Sequence, residues 1–232
     1  EKYKYSQIKI SRMIKVVVFD WNGTIIADTE AVREADNFLI KKFGGRTPSY
    51  YEYISTQSDS SIGFYLHYGC KEKKLVSNIQ LAGELQHNFY EKRAAKCRSR
   101  KGAKELLKWI NKMNVESIIL SNHTKDSINL HLKRLTLNEY VSHVFAHNLK
   151  EGFLKPHNKL KKLKHFMKLH KVNQNEVAVI GDSPEEIYAG NKLGMYTIAI
   201  TGGCHSKHKL KKAKPNKIVG NLKECIKILK KI

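Results

Sequence analysis

Three short apolar runs of this 232-residue chain stop at residues that can do chemistry. Asp20 follows Val16-Val17-Val18-Phe19, Ser121 follows Ile118-Ile119-Leu120, and Asp182 follows Val177-Ala178-Val179-Ile180-Gly181. A lysine, Lys155, lies in the loop ahead of the last of these runs. If the runs are strands of a parallel sheet, ligands bind just beyond their carboxyl ends, and a hydroxyl, two carboxylates and an ammonium converge on one edge. Carboxylate oxygens suit a hard cation and an ammonium balances an anion. Taken singly, an Asp or Ser after a strand is ordinary turn or helix-cap chemistry. Capping does not account for all four in this order.

The elements that must position these residues follow from the hydrophobic pattern. Short, β-branched runs alternate with longer segments of helical period, which marks an α/β fold with a parallel, Rossmann-like sheet sandwiched by helices. Strands are expected at Ile14 to Asp20, Ser117 to Ser121, Val144 to Ala146, Val177 to Ile180, Tyr196 to Ile200 and Ile218 to Val219. Helices are expected at Ala103 to Met113, with Leu106, Leu107 and Ile110 on one face, at Lys125 to Leu135, and at Lys159 to Leu169 with Leu160, Leu163 and Phe166. Runs as apolar as Val16-Val17-Val18-Phe19 imply burial on both faces of the sheet. From Ala27 to Ser99 there is room for several helices and no convincing strand, so a helical module is expected to be inserted after the first strand. The division expected is a core of residues 1–27 and 100–232 and a helical cap of residues 28–99, with hinges near Ala27-Asp28 and Arg98 to Gly102.

A hydrophobic fraction of 41% excludes a wholly disordered chain. Lys and Arg number 43 against 21 Asp and Glu, a net charge of +22, which favours anionic partners. Two lysine runs carry much of the excess, one at Lys159, Lys161, Lys162, Lys164, Lys168 and Lys171, the other from Lys207 to Lys217. Both read as solvated faces. They lack the aromatics and arginines of a nucleic-acid surface, so nucleic acid is not the favoured partner. The 4 cysteines are far apart without a CxxC pair, which fits a reducing compartment. The one HxxxH spacing among the 11 histidines, His143 to His147, straddles an expected strand, where residues four apart are about 13 Å apart, and a histidine metal site is disfavoured. No apolar stretch approaches membrane-spanning length, and Glu1 to Arg12 lack a signal-peptide core. A cytoplasmic protein without membrane contact is expected.

The motifs, in order, resemble those of the haloacid dehalogenase-like superfamily. Val16 to Thr24, VVVFDWNGT, resembles its first signature, DxDGT; IILSN (Ile118 to Asn122) resembles the second; Lys155-Pro156 the third; and GDSPEEI (Gly181 to Ile187) the fourth. Lys101 to Leu107 also resembles the segment leading into the second signature. The likeness runs from about Lys15 to the C-terminus, with the inserted module matching only in position and helical character. It implies a phosphoglycolate-phosphatase-like hydrolase with Asp20 as nucleophile, attacking phosphorus to form an aspartyl-phosphate. A magnesium ion held by Asp20, Asp182 and the Asn22 backbone carbonyl would neutralise the approaching anions. Lys155 and Ser121, with the Asn122 amide, would hold the phosphoryl oxygens, and Gly23 and Thr24 would line the substrate. Ser183 and Glu186 would support the ligands from behind; Glu186 is equally explained as a helix N-terminal acid.

The departure is Asn22, where the family's phosphatases usually carry an aspartate that protonates the leaving oxygen and then activates water. An amide can do neither. General acid–base catalysis is typically worth about 10² to 10⁴-fold, so Asn22 predicts slow hydrolysis of alkyl esters, or a leaving group that needs no proton. Carbon–phosphorus and carbon–halogen hydrolases of the superfamily also lack that aspartate, and a phosphonatase would need a cap lysine, with Lys41, Lys42 and Lys71 as nominal candidates. A third reading is a weakly catalytic fold that binds nucleic acid through its basic surface. His123 reads as a loop residue, and Tyr50, Tyr51, Tyr53, Phe64, Tyr65, His67 and Tyr68 as core of the inserted module in preference to substrate contacts.

Overall fold

The structure, a computed structural model, describes residues 14–57, 61–147 and 159–232. Six strands form one parallel sheet: β1 (Val16–Phe19), β2 (Glu116–Thr124), β3 (His143–His147), β4 (Val177–Gly181), β5 (Tyr196–Ile200) and β6 (Lys217–Val219), in the order β3-β2-β1-β4-β5-β6. Successive side chains of a strand point to opposite faces, and both faces here are covered. Val17 and Phe19 of β1 join Leu106, Leu107 and Ile110 on one side, and Val16 and Val18 join Leu163 and Phe166 on the other. Each such Leu, Ile or Phe, removed from water, contributes about 1.5–3 kcal/mol.

The helices around the sheet are α6 (Ala103–Lys112), α7 (Lys125–Arg134), α8 (Lys159–His170), α9 (Pro184–Lys192), α10 (Lys207–Lys212) and α11 (Lys223–Leu229). Those expected from the sequence occur within a residue of their expected ends, because their apolar stripes find the sheet. The strands differ more: β1 starts two residues later than the apolar pattern suggested, and β2 continues through His123 to Thr124. His123 is therefore a strand residue and not a loop residue.

Between β1 and β2 lie α1 (Thr29–Lys42), α2 (Tyr50–Thr56), α3 (Ser61–His67), α4 (Glu72–Ser77) and α5 (Ile79–Ala94). They bury a separate apolar cluster of Leu39, Ile40, Phe43, Tyr53, Phe64, Tyr65, Tyr68 and Leu75. Four of the aromatics singled out from the sequence are thus core, while Tyr50 and Tyr51 are 43% and 79% exposed and His67 lies at the surface. The segments leading into and out of these helices run side by side: Ala27 N donates to Arg98 O at 2.8 Å, and Arg100 N to Ile25 O at 2.8 Å. Among the described residues no helix is long and apolar enough to cross a membrane.

Candidate active site

Strand register brings the chemistry together. Phe19 pairs with Ile119 of β2 and Ile180 of β4, so Asp20 just past β1, Asp182 just past β4 and Ser121 within β2 lie at nearly one level. The strand order reverses between β1 and β4, and crevices open at such points. All three are buried, at 8%, 1% and 2% exposure. Glu186, in the first turn of α9, joins them, and one carboxylate oxygen from each of Asp20, Asp182 and Glu186 lies within 4.8 Å of the others.

The cation that answers this cluster is Lys159, at the start of α8. Its Nζ donates to Asp20 Oδ1 at 2.8 Å and Glu186 Oε2 at 2.9 Å. Burial works against the ammonium, but Asp20 and Glu186 outweigh it and hold Lys159 well above its ordinary pKa. Glu186 is lowered: burial opposes ionisation, and Lys159 with the Ser183 donors overcomes it. Asp20 is raised, chiefly by burial, with Lys159 offsetting and the Glu186 and Asp182 charges adding. Asp182 is pushed up to about 6 by burial first and Glu186 second. Among the described residues, three clustered carboxylates face the one ammonium of Lys159, with the Arg100 guanidinium also acting on Asp182.

Each carboxylate is held in place. Asp182 accepts from Thr24 Oγ1 at 2.8 Å and from the Cys204 amide at 2.7 Å. Gly23, at φ +66°, leaves room for this: a Cβ there would lie 2.5 Å from Asp182 Oδ2. Ser183 caps α9, accepting from Glu185 N, while its own amide and hydroxyl donate to Glu186 at 2.6 and 2.5 Å. Both Glu186 oxygens are therefore engaged by protein donors. Asn122 Nδ2 donates to Glu185 Oε2 at 2.9 Å, and Glu185 Oε1 accepts the Lys159 amide at 3.0 Å, tying β2 to α8. Ser121 Oγ accepts the His123 amide at 3.1 Å, and its carbonyl accepts Lys162 Nζ at 2.9 Å.

Asn22 faces a different set. Its Nδ2 donates to Asp28 Oδ2 at 2.6 Å and to Tyr90 OH at 2.9 Å. Tyr90 OH in turn donates to Asp28 Oδ2 at 2.6 Å, and Gly23 N to Asp28 Oδ1 at 2.7 Å. Burial raises the Asp28 pKa against these three donors. With both amide hydrogens committed, the Asn22 side chain can offer only its carbonyl oxygen as an acceptor.

Lys155 and Pro156 lie outside the described residues. Lys159 departs from the solvated face expected of its lysine run: it is 4% exposed. The missed signal is its spacing, since Lys159, Leu163 and Phe166 form one buried stripe on α8. Sequence reading also passed over Arg100, whose guanidinium donates to the carbonyls of Gly23 and, at 2.6 Å, Thr201, and over Asp28, Tyr90 and Glu185. His123 Nε2 meets Glu91 Oε1 of α5 at 2.9 Å. Lys41, Lys42 and Lys71 are exposed, unlike a lysine activated by desolvation.

The sequence profile of the haloacid dehalogenase-like hydrolases matches residues 17–200. The chain belongs to the haloacid dehalogenase-like hydrolases. Phosphoglycolate phosphatase of Pseudomonas fluorescens is 22% identical to this family member over 234 residues, spanning 96% of this chain and 82% of that protein. A solved structure of a predicted phosphatase from Clostridium acetobutylicum superposes with a TM-score of 0.78 at 17% identity, covering 95% of this chain and 100% of that one. β-Phosphoglucomutase of Clostridium difficile does so at 0.71 and 21%, covering 94% and 97%. At these identities the likeness is one of fold.

Proposed function

We propose that this hydrolase is a magnesium-dependent phosphatase of a small phosphorylated metabolite, similar in activity to phosphoglycolate phosphatases, with Asp20 as nucleophile. The observation that carries this reading is the buried cluster of Asp20, Asp182 and Glu186, answered among the described residues by the ammonium of Lys159. An all-oxygen donor set of three crowded carboxyl groups fits a hard divalent cation. Asp20, Asp182 and the Asn22 backbone carbonyl would hold it, with Ser183 and Glu186 behind them. When bound, magnesium supplies charge neutralisation that lets a carboxylate approach a phosphate ester.

The chain's own groups do the rest. Lys159 occupies Asp20 Oδ1, leaving Oδ2 to attack phosphorus as the bond to the leaving oxygen breaks. Ser121, with the Asn122 amide, and a lysine then face the phosphoryl oxygens as charge builds on them; Gly23 and Thr24 shape the floor. Water completes the cycle by attacking phosphorus of the aspartyl-phosphate and releasing phosphate. Asn22 Oδ1 accepts a hydrogen bond from that water or from the leaving hydroxyl but transfers no proton, so the departing oxygen takes its proton from solvent. Helices α1–α5, within residues 28–99, act as a cap that excludes water.

The test is hydrolysis of an aryl and an alkyl phosphate, with Mg²⁺ and with EDTA, by wild type and Asp20→Asn. The expected result is turnover that requires both Mg²⁺ and Asp20, faster on the aryl ester, whose leaving group departs unprotonated. Asp20→Asn lowers kcat at least about 10³-fold. Activity that survives Asp20→Asn overturns the reading.

A further inference from the structure

A second cluster lies where α5 meets the end of β2. His87 and Glu91 are one turn apart on α5, and His123 is contributed by β2. Glu91 Oε1 is the common vertex, 2.9 Å from His123 Nε2 and 3.8 Å from His87 Nδ1. One ligand-type atom from each of the three side chains lies within 4.8 Å of the others. These side chains are only 11%, 22% and 11% exposed. Four-coordinate zinc with bonds of about 2.0–2.1 Å sets its ligand atoms about 3.3 Å apart, a spacing that 2.9 and 3.8 Å bracket.

The remaining carboxylate oxygen is already fixed. His131 Nδ1 accepts from Arg134 Nε at 3.3 Å, which leaves Nε2 as the donor, 3.0 Å from Glu91 Oε2. An outer imidazole thus orients the carboxylate and leaves Oε1 turned to His87 and His123, the arrangement by which supporting groups set metal ligands. Burial first, then His123, holds the His87 imidazole below its ordinary pKa, keeping its lone pair available near neutral pH.

We propose that His87, Glu91 and His123 form a site for one transition-metal dication of the zinc class, with solvent in the open position. Two imidazoles and a carboxylate select such an ion over magnesium, whose preference is for oxygen. The sequence hides this site because the residue one turn after His87 is Glu91 in place of a second histidine, and the second histidine arrives from a different element. The bound ion would tie α5 to the strand that carries Ser121 and Asn122. This site uses none of the sheet-edge carboxylates, so it stands or falls apart from the proposed phosphatase activity.

The experiment is titration of the full chain with Co²⁺, read by its visible spectrum, and with Zn²⁺, read by calorimetry, both in saturating Mg²⁺. Wild type, His87→Ala, His123→Ala and Asp182→Asn are compared, with circular dichroism to confirm that each is folded. Wild type and Asp182→Asn are expected to bind one equivalent and to show the intense bands of four-coordinate Co²⁺. The folded His87→Ala variant should bind about 100-fold more weakly or worse, and His123→Ala provides the same reading if His87→Ala fails to fold. Binding that survives the histidine substitutions, absence of binding by wild type, or binding abolished by Asp182→Asn overturns the proposal.

Discussion

Two groups of buried acid in this molecule meet opposite fates. Asp36, inside the helical region between β1 and β2, is 5% exposed and accepts from Tyr53 OH and Tyr65 OH, each at 2.8 Å, and from Gln86 Nε2 at 3.2 Å. Burial raises its pKa while these neutral donors pull the other way. At the sheet edge, Asp20, Asp182 and Glu186 share one ammonium and crowd one another. A lone carboxyl ringed by neutral donors is satisfied by the fold itself. Clustered carboxylates are relieved only by taking up a proton or a further cation. The first arrangement holds a helical core together; the second has the character of a reactive site.

The largest expected break in this contrast is Lys159→Ala. Removing one partner of a buried ion pair costs about 3–5 kcal/mol of stability, and kcat should fall about 10²–10³-fold with the lost electrostatic support. Lys155→Ala sharpens the point. Wild-type kcat in Lys159→Ala combined with a collapse in Lys155→Ala would move the catalytic ammonium to Lys155.

Asp36→Asn should separate the two clusters. It leaves a converging set of donors with one acceptor oxygen fewer, costing about 1–3 kcal/mol in urea unfolding, while kcat/KM on the aryl ester stays within about twofold of wild type. A large kinetic loss would make Asp36 part of the site.

The smallest effect concerns charge at Asp182. Its pKa is raised from 3.8 to about 6 in the folded chain, so the stability it contributes is complete below about pH 4 and lost as pH rises through about 6. In EDTA, Asp182→Asn should gain on wild type between about pH 5 and 7, on the order of 1–2 kcal/mol. The amide can still accept from the Cys204 N–H and donate to Thr24 Oγ1. Mg²⁺ should reverse the order by stabilising wild type alone. A pH-independent difference would show that Asp182 is ionised without a cation.

Much of this was legible in one dimension. Strand and helix positions follow from apolar period, since burial on a pleat or on one face of a helix leaves a mark every second residue or every third to fourth. Asp20, Ser121 and Asp182 were legible because a strand end is itself a sequence feature. Lys159 was legible only through its spacing with Leu163 and Phe166, since nothing else in its run of six lysines sets it apart. Tyr90 and Glu91 were not, because they reach Asp28 and His123 only after α5 has folded back across the sheet edge.

Composition, period and motif order therefore determined the family, the parallel sheet and the carboxylates at its edge, all of them properties of local sequence. Which cation answers Asp20, how the Asn22 amide is turned, and how His87, Glu91 and His123 come to meet were decided only by tertiary packing. Each depends on side chains 32 to 139 residues apart coming within hydrogen-bond distance, and no local pattern records such a distance.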